Sequence, residues 1–128
     1  MGVLVGKKAP DFTVPAVLGN GTIVDEFSLS ETIHGKYGIV KAYDLETKGG
    51  VALRGAFIID KEGVVRSQII NDLPLGRNMD ELVRLIEALQ FHEEHGEVCP
   101  AGWTKGDKGM DASPEGVAKY LADESDKL

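Results

Sequence analysis

Alternation of apolar and polar residues is the first signal along this chain, and it predicts two β-hairpins. Residues 11–14 and 22–29 alternate in this way, and an Asn-Gly pair between them favours a tight turn, so they predict an N-terminal hairpin. Residues 51–59 and 64–70 predict a central hairpin. Gly63 closes it, because glycine can take the positive φ that such a turn needs.

A second periodicity, the helical one, follows the central hairpin. Asn78 is placed as an N-cap, and Glu81, three positions later, predicts a capping-box-like pair. Gly96 marks the end of the helix. The apolar residues with helical spacing are Met79, Leu82, Leu85, Ile86 and Leu89. This pattern predicts one long helix.

Polar and glycine-rich segments separate the regular elements. A strand is predicted to begin at residues 36–40 and to give way to a polar loop. Residues after Gly96 are too rich in glycine for a regular element, and a short helix then starts at Ser113, which precedes a proline at the first helical position. The predicted organisation is a partial domain over residues 1–95 and a C-terminal tail over residues 96–128.

Arg54 is the most informative residue, because it lies inside the apolar run of residues 51–59. Such runs are typical of strands buried on both faces. A guanidinium cannot give up its proton, so burying it costs free energy unless it meets an anion or carbonyl oxygens. Two interpretations remain open: an arginine at a strand edge that reaches water, or a fixed cation that faces a thiolate, carboxylate or oxyanion.

Composition narrows the class of protein. The 128 residues are 42% hydrophobic, which suits one domain with a core. A net charge of −7 without a basic run argues against nucleic-acid binding. No apolar stretch approaches the roughly 20 residues of a membrane helix. The single cysteine, Cys99, excludes an intrachain disulfide and favours a reducing cytoplasm, the predicted location.

Cys99 is also the one candidate nucleophile. Its local neighbours, acidic residues and two histidines, do not favour a lowered thiol pKa. Pro100 and nearby glycines predict that it lies on a mobile tail, which suits a thiol that travels to another sulfur. An inert, half-buried cysteine is the alternative. The spacing of His92, His95 and Cys99 hints at zinc, but the set lacks a fourth ligand, so no metal site is predicted.

Several blocks together resemble a typical two-cysteine peroxiredoxin of the bacterial alkyl hydroperoxide reductase C type. The last block is the most specific, and the likeness covers almost the whole chain. The blocks are Gly6–Phe12, Phe27–Ser30, Gly35–Val40, Arg54–Asp60, Asn71–Arg77 and Phe91-His-Glu-Glu-His-Gly-Glu-Val-Cys-Pro-Ala-Gly-Trp103.

The resemblance implies a fold, a chemistry and a set of site residues. The fold is α/β and thioredoxin-like. In the family a peroxidatic thiolate reduces hydrogen peroxide or alkyl hydroperoxides and becomes a sulfenic acid. A resolving cysteine then forms a disulfide that a thioredoxin-like or flavoprotein reductase reopens. By the motif, Cys99 is similar to the resolving cysteine. Arg54 is similar to the arginine that holds the thiolate and the peroxide, and Arg77 to a second site arginine. The resemblance implies no cofactor. It does imply a homodimer or a higher oligomer.

One departure from the family is large. After Val40 the family continues to a Pro-x-x-x-Thr/Ser-x-x-Cys helix start, but here residues 41–43 resemble the segment shortly before the arginine strand. The peroxidatic cysteine and its neighbouring helices and strands are therefore absent. The predicted fold is incomplete: an N-terminal hairpin, a central hairpin, one long helix and a tail with a short helix. Strand 51–59 is expected to be an exposed edge.

Two functional interpretations follow. The first is an antioxidant peroxidase chain that is inactive alone, because it lacks the peroxidatic thiol. The second is a non-catalytic variant that associates with peroxiredoxin subunits through an edge strand or a Cys99 disulfide.

Overall fold

The computed structural model describes residues 2–18, 20–30, 38–40 and 53–127, with the backbone alone for 38–40 and for residue 127. The chain divides into two compact units, Met1–Arg77 and Asn78–Leu128. Compactness is not evidence of independent folding, so the domain boundary predicted after residue 95 stays a prediction.

The first unit begins with the predicted N-terminal hairpin. Strand β1 (Thr13–Val17) pairs antiparallel with strand β2 (Ile23–Ser28), with an irregularity between Val14 and Ala16. The turn uses the predicted chemistry: the Asn20 side chain accepts a hydrogen bond from the Thr22 N–H, and Gly21 has φ +82°. The hairpin is confirmed, although β1 starts two residues later than the alternation indicates.

A three-stranded antiparallel sheet holds the central hairpin. Its order is β3 (Gly38–Val40), β4 (Arg54–Ile59) and β5 (Val65–Asn71). The predicted pairing of β4 with β5 is confirmed. The prediction that strand 51–59 is an exposed edge is wrong for its C-terminal half, because β3 pairs with Phe57–Ile59. Residues 51 and 52 of the predicted strand lie outside the described residues.

Strand β4 forms the centre of the first unit's core. Every residue from Gly55 to Ile59 is buried, so both faces of the strand are covered. This agrees with the near-continuous apolar run in the sequence. Phe57 and Ile59 on one face pack with Leu29 and Val65. At roughly 25 cal/mol per Å² of apolar surface removed from water, these side chains supply a large share of the unit's stability.

The N-terminal segment adds a contact that has no periodic signal in the sequence. Gly6 donates its N–H to the Val65 carbonyl, and Val65 donates its N–H to the Lys7 carbonyl. Lys8 forms an isolated antiparallel bridge with Val64. The first residues of β5 are therefore bonded on a second edge by backbone from the N-terminus.

The second unit is built on the predicted long helix, α1 (Met79–His95). The Asn78 side chain accepts from the N–H groups of Asp80 and Glu81, and Gly96 ends the helix with φ +73°. The capping-box-like pair is confirmed in one half, the Glu81 N–H bond to Asn78, whereas the Glu81 carboxylate binds the Arg84 guanidinium.

The short C-terminal helix is confirmed as α2 (Pro114–Glu124), followed by a single 3₁₀ turn, Ser125–Lys127. The Ser113 hydroxyl accepts from the Gly116 N–H, as expected of a capping serine before proline. Neither of these helices, the two longest that the structure describes, is long and apolar enough to cross a membrane.

Asp60 organises the turn between β4 and β5. The residue is 3% exposed. Its carboxylate accepts from the N–H groups of Glu62 and Val64, at 3.0 and 2.9 Å, and from the Arg66 guanidinium at 3.1 Å. Burial raises the pKa of Asp60, but these hydrogen bonds outweigh it and hold the pKa below its ordinary value. The turn is thus fixed by an ionised carboxylate.

We expect the substitution Asp60→Ala to lower the free energy of unfolding at pH 7 by about 2 kcal/mol, because three donors lose their acceptor. A lowered pKa stabilises the fold above the pKa of the unfolded chain, and this contribution is lost as pH falls through the folded value. The difference in the free energy of unfolding between Asp60→Ala and wild type should therefore narrow below about pH 4. Urea titrations at several pH values measure this difference.

The matched control is Glu62→Gln, which changes an exposed carboxylate of the same turn. This substitution should change the free energy of unfolding by no more than about 0.5 kcal/mol. Equal stability of Asp60→Ala and wild type at pH 7 would contradict the role given to this carboxylate.

Candidate functional site

Arg54 occupies the first position of β4, opposite Asn71 of β5. It is half-buried, whereas the five residues that follow it are buried. Arg54 therefore lies at the edge of the core, where β4 begins, and not in the buried middle of the strand. A half-buried position reduces the desolvation cost of the charge and keeps its donors within reach of a ligand.

Arg77 is held at the same end of β4. Its Nε donates to the Gly55 carbonyl at 2.8 Å, the residue directly after Arg54. The Asn71 side chain donates to the Gly76 carbonyl at 3.2 Å, which fastens the segment before Arg77 to the end of β5. The structure thus places the Arg77 guanidinium against the residue next to Arg54, although the two arginines are 23 positions apart in sequence. That the two side chains share one anion site stays a prediction.

Cys99 belongs to the second unit and is half-buried. Its Sγ lies 3.5 Å from the Ala88 carbonyl of α1, as a weak donor. Burial raises the pKa of the thiol, and the positive charge of Arg84 opposes that rise only in part. The expectation that the surroundings do not lower the thiol pKa is confirmed. At neutral pH the group is a thiol, and it needs to lose its proton before it can act as a nucleophile.

The segment around Cys99 is folded against α1 rather than loosely attached. Trp103 is 2% exposed and packs on Phe91, with ring centroids 5.0 Å apart. Its indole N–H donates to the Asp107 carbonyl. Val98 and Met110 form an antiparallel bridge that closes the loop between them. The expectation of a mobile tail is therefore replaced by a thiol in a packed loop.

Arg84 is the residue that sequence reasoning missed. Its guanidinium holds both carboxylate oxygens of Glu81, at 2.5 and 2.7 Å, and donates to the Trp103 carbonyl at 2.7 Å. The spacing of Glu81 and Arg84 by three residues is a signal for an ion pair on a helix. No local pattern shows the contact to Trp103, because it joins residues 19 positions apart.

His92 forms hydrogen bonds at the C-terminal end of α1. His92 Nδ1 lies 2.8 Å from the Glu97 carbonyl, and the His92 carbonyl accepts the N–H of Gly96. Within the described ranges, no group of three metal-ligating side chains is close enough to hold an ion.

Known proteins match the chain over these same regions. A family model described as the C-terminal domain of 1-Cys peroxiredoxin matches residues 88–123, which include Cys99 and Trp103. Alkyl hydroperoxide reductase C from Helicobacter pylori strain J99 is 36% identical and aligns with 98% of this chain and 100% of its own length. The chain belongs to the alkyl hydroperoxide reductase C family of peroxiredoxins.

The length of that alignment accounts for the missing block. It extends over 199 positions, far more than the 128 residues present here, so a large internal part of the relative has no counterpart. The protein of the same name from strain 26695 is 60% identical over 90 residues, which are 70% of this chain and 46% of the relative. The matched region thus covers less than half of that relative's full length.

Solved structures show the same fold. The reduced 2-Cys peroxiredoxin of Plasmodium vivax superposes with a TM-score of 0.85 at 26% identity, covering 94% of this chain and 100% of that one. The predicted thioredoxin-like, peroxiredoxin fold is confirmed in partial form, and the described residues include two hairpins and the helices α1 and α2. The relatives carry the names of reductases and peroxidases, so they do not favour the interpretation as a non-catalytic binding variant.

We expect the alkylation rate of Cys99 to reach half its maximum at a higher pH than that of a peptide with the sequence of residues 97–101. The reason is the burial that raises the thiol pKa in the folded chain. Iodoacetamide labelling across a pH series, followed by mass spectrometry, gives both midpoints. In strong denaturant the two midpoints should coincide. A midpoint below that of the peptide would contradict the geometry.

Proposed function

We propose that this chain takes part in thiol-dependent reduction of hydroperoxides as a chain of the alkyl hydroperoxide reductase C type, with Cys99 as its resolving-type thiol. One observation carries the proposal: the only cysteine of these 128 residues lies in the family-matched stretch, held beside α1 with a raised pKa. A thiol that attacks peroxide needs a lowered pKa, whereas one that attacks an existing sulfenic acid can act at a more ordinary value.

The chemistry needs a second chain. A peroxidatic thiolate on that chain attacks the O–O bond, takes one oxygen as a sulfenic acid and releases water or an alcohol. The Cys99 sulfur then attacks the sulfenic sulfur. An S–S bond forms, the S–O bond breaks, and water leaves with the thiol proton. A dithiol reductase reopens the disulfide by thiol–disulfide exchange.

The two arginines are proposed to form the remaining part of a peroxide site. At the start of β4, Arg54 and Arg77 offer N–H donors to a thiolate and a peroxide oxygen. The Arg77 contact with the Gly55 carbonyl fixes its position relative to the strand. These donors stabilise charge but cannot attack an O–O bond. The chain alone is therefore expected to show no peroxidase turnover.

The proposed partners follow from the same chemistry. They are a hydroperoxide substrate, a thioredoxin-like or flavoprotein disulfide reductase, and a second copy or an intact subunit in a homodimer or higher oligomer. A relative from Trypanosoma brucei rhodesiense, 54% identical over 66% of this chain, bears the name thioredoxin peroxidase. We propose a cytoplasmic location, where a lone cysteine stays reduced, and no cofactor or metal.

The decisive experiment is complementation. An intact family subunit whose own resolving cysteine is replaced by serine is mixed with this chain, a thioredoxin-type reductase system and hydrogen peroxide. We expect reductase-coupled peroxide consumption that depends on both chains, because the sulfenic acid of one meets the Cys99 thiol of the other. Non-reducing electrophoresis should show a mixed disulfide of the two chains.

The matched control is Cys99→Ser, which should lose both the disulfide band and the turnover. A mixed disulfide without turnover would instead support a role in binding alone. Peroxide consumption by this chain without the partner, lost in Cys99→Ser, would overturn the proposal and make Cys99 the group that attacks peroxide.

A further inference from the structure

Arg84 lies between helix α1 and the loop that carries Cys99. Two of its nitrogens hold both oxygens of Glu81 on the same helix, one turn earlier. A third nitrogen donates to the Trp103 carbonyl at 2.7 Å. The side chains of Arg84 and Glu81 are 27% and 35% exposed, so the pair is only partly screened by water. Bidentate pairs of this kind fix the direction of the remaining guanidinium donor.

One hydrogen-bonded turn connects Cys99 to Trp103. Trp103 donates its N–H to the Pro100 carbonyl at 3.1 Å, and Gly102 takes φ +72° to make this turn possible. Fixing the Trp103 carbonyl therefore fixes the chain back to Cys99. The Cys99 Sγ meets the Ala88 carbonyl, one helical turn beyond Arg84 on α1. These two contacts add to the packing of Trp103 on Phe91 and to the contact of His92 with the Glu97 carbonyl, which also join the helix and the loop.

The charge of Arg84 also reaches the thiol. It lowers the pKa of Cys99 against the larger effect of burial. The pKa of Arg84 is itself raised, chiefly by the hydrogen bond with Glu81 and least by Cys99.

We propose that Arg84 is a positioning residue for Cys99: it fastens the Cys99–Trp103 turn to α1 and so limits how often the thiol leaves the helix to attack a sulfur on another chain. This inference rests on the proposed function, in which Cys99 attacks such a sulfur. The half-buried thiol in this structure faces the Ala88 carbonyl of α1, so a large partner reaches it only after the turn opens. Arg84 contributes to the free energy of that opening.

The test is the rate at which Cys99 of the full chain reacts with a neutral dipyridyl disulfide, measured across a pH series. A neutral reagent avoids direct attraction to the Arg84 charge. In Arg84→Gln, we expect the high-pH plateau of the rate constant to rise about tenfold, because a charge-assisted hydrogen bond that closes the loop is lost. The plateau reports access to the thiolate together with its nucleophilicity, which rises with the thiol pKa. The midpoint of the same pH series gives that pKa, so the part of the rise due to nucleophilicity can be subtracted.

Two further variants keep the test decisive if Arg84→Gln does not fold. Arg84→Lys keeps the charge but cannot hold both oxygens of Glu81, so its plateau should lie between those of wild type and Arg84→Gln. Glu81→Gln keeps the guanidinium but weakens its fixed direction, and its plateau should also rise. Unchanged plateaus in the folded variants would overturn the proposal.

Two controls separate positioning from general loosening and from loss of charge. Ser113→Ala removes the cap of α2 and should lower Tm without changing the plateau. Lys105→Gln removes an exposed positive charge of the same unit, 3.9 Å from Glu87, and should leave both plateau and midpoint unchanged. If Ser113→Ala raised the plateau as much as Arg84→Gln, the effect would be loss of stability and the proposal would fail.

The outcome is independent of the complementation experiment. The small disulfide needs no partner chain, so a plateau that responds to Arg84 while no mixed disulfide forms would overturn the proposed function alone. A mixed disulfide with unchanged plateaus would overturn the positioning role alone.

Discussion

The burial of β4 on both faces is the constraint on which the first unit depends. From Gly55 to Ile59 the strand has no exposed residue, and the charged residues lie at its two ends, Arg54 at the start and Asp60 directly after it. Arg54 therefore lies at the boundary of the core, and the carbonyl of the next residue, Gly55, accepts a hydrogen bond from Arg77. The positions of both arginines thus follow from where the apolar run starts. A shift of one residue in β4 would turn its side chains to the opposite faces of the sheet.

The second unit depends on a different kind of contact, in which backbone carbonyls receive side-chain donors. Arg84 meets the Trp103 carbonyl, the Cys99 thiol meets the Ala88 carbonyl, and the Trp103 indole meets the Asp107 carbonyl. The three acceptors lie on both sides of the contact: Trp103 and Asp107 belong to the loop, and Ala88 belongs to α1. Gly109 shows how close this packing is, because an added Cβ would lie 2.6 Å from the Phe91 ring.

Local signals in the sequence account for much of the fold and less of the site. The caps at Asn78 and Ser113 were predictable, because a cap joins residues two or three positions apart. The β4–β5 hairpin was predictable for the same reason. The pairing of β3 with β4 and the contact of Arg84 with Trp103 were not, because each joins distant segments. Glu81 was assigned to the helix cap, but a bidentate arginine competes better for its carboxylate than one backbone N–H does.

Because Cys99 is the single cysteine, each copy of these 128 residues can form at most one disulfide to another chain. Two copies joined through this sulfur have no further cysteine with which to bond a third chain. Covalent association through these 128 residues therefore stops at a pair, and any larger assembly depends on contacts that are not covalent.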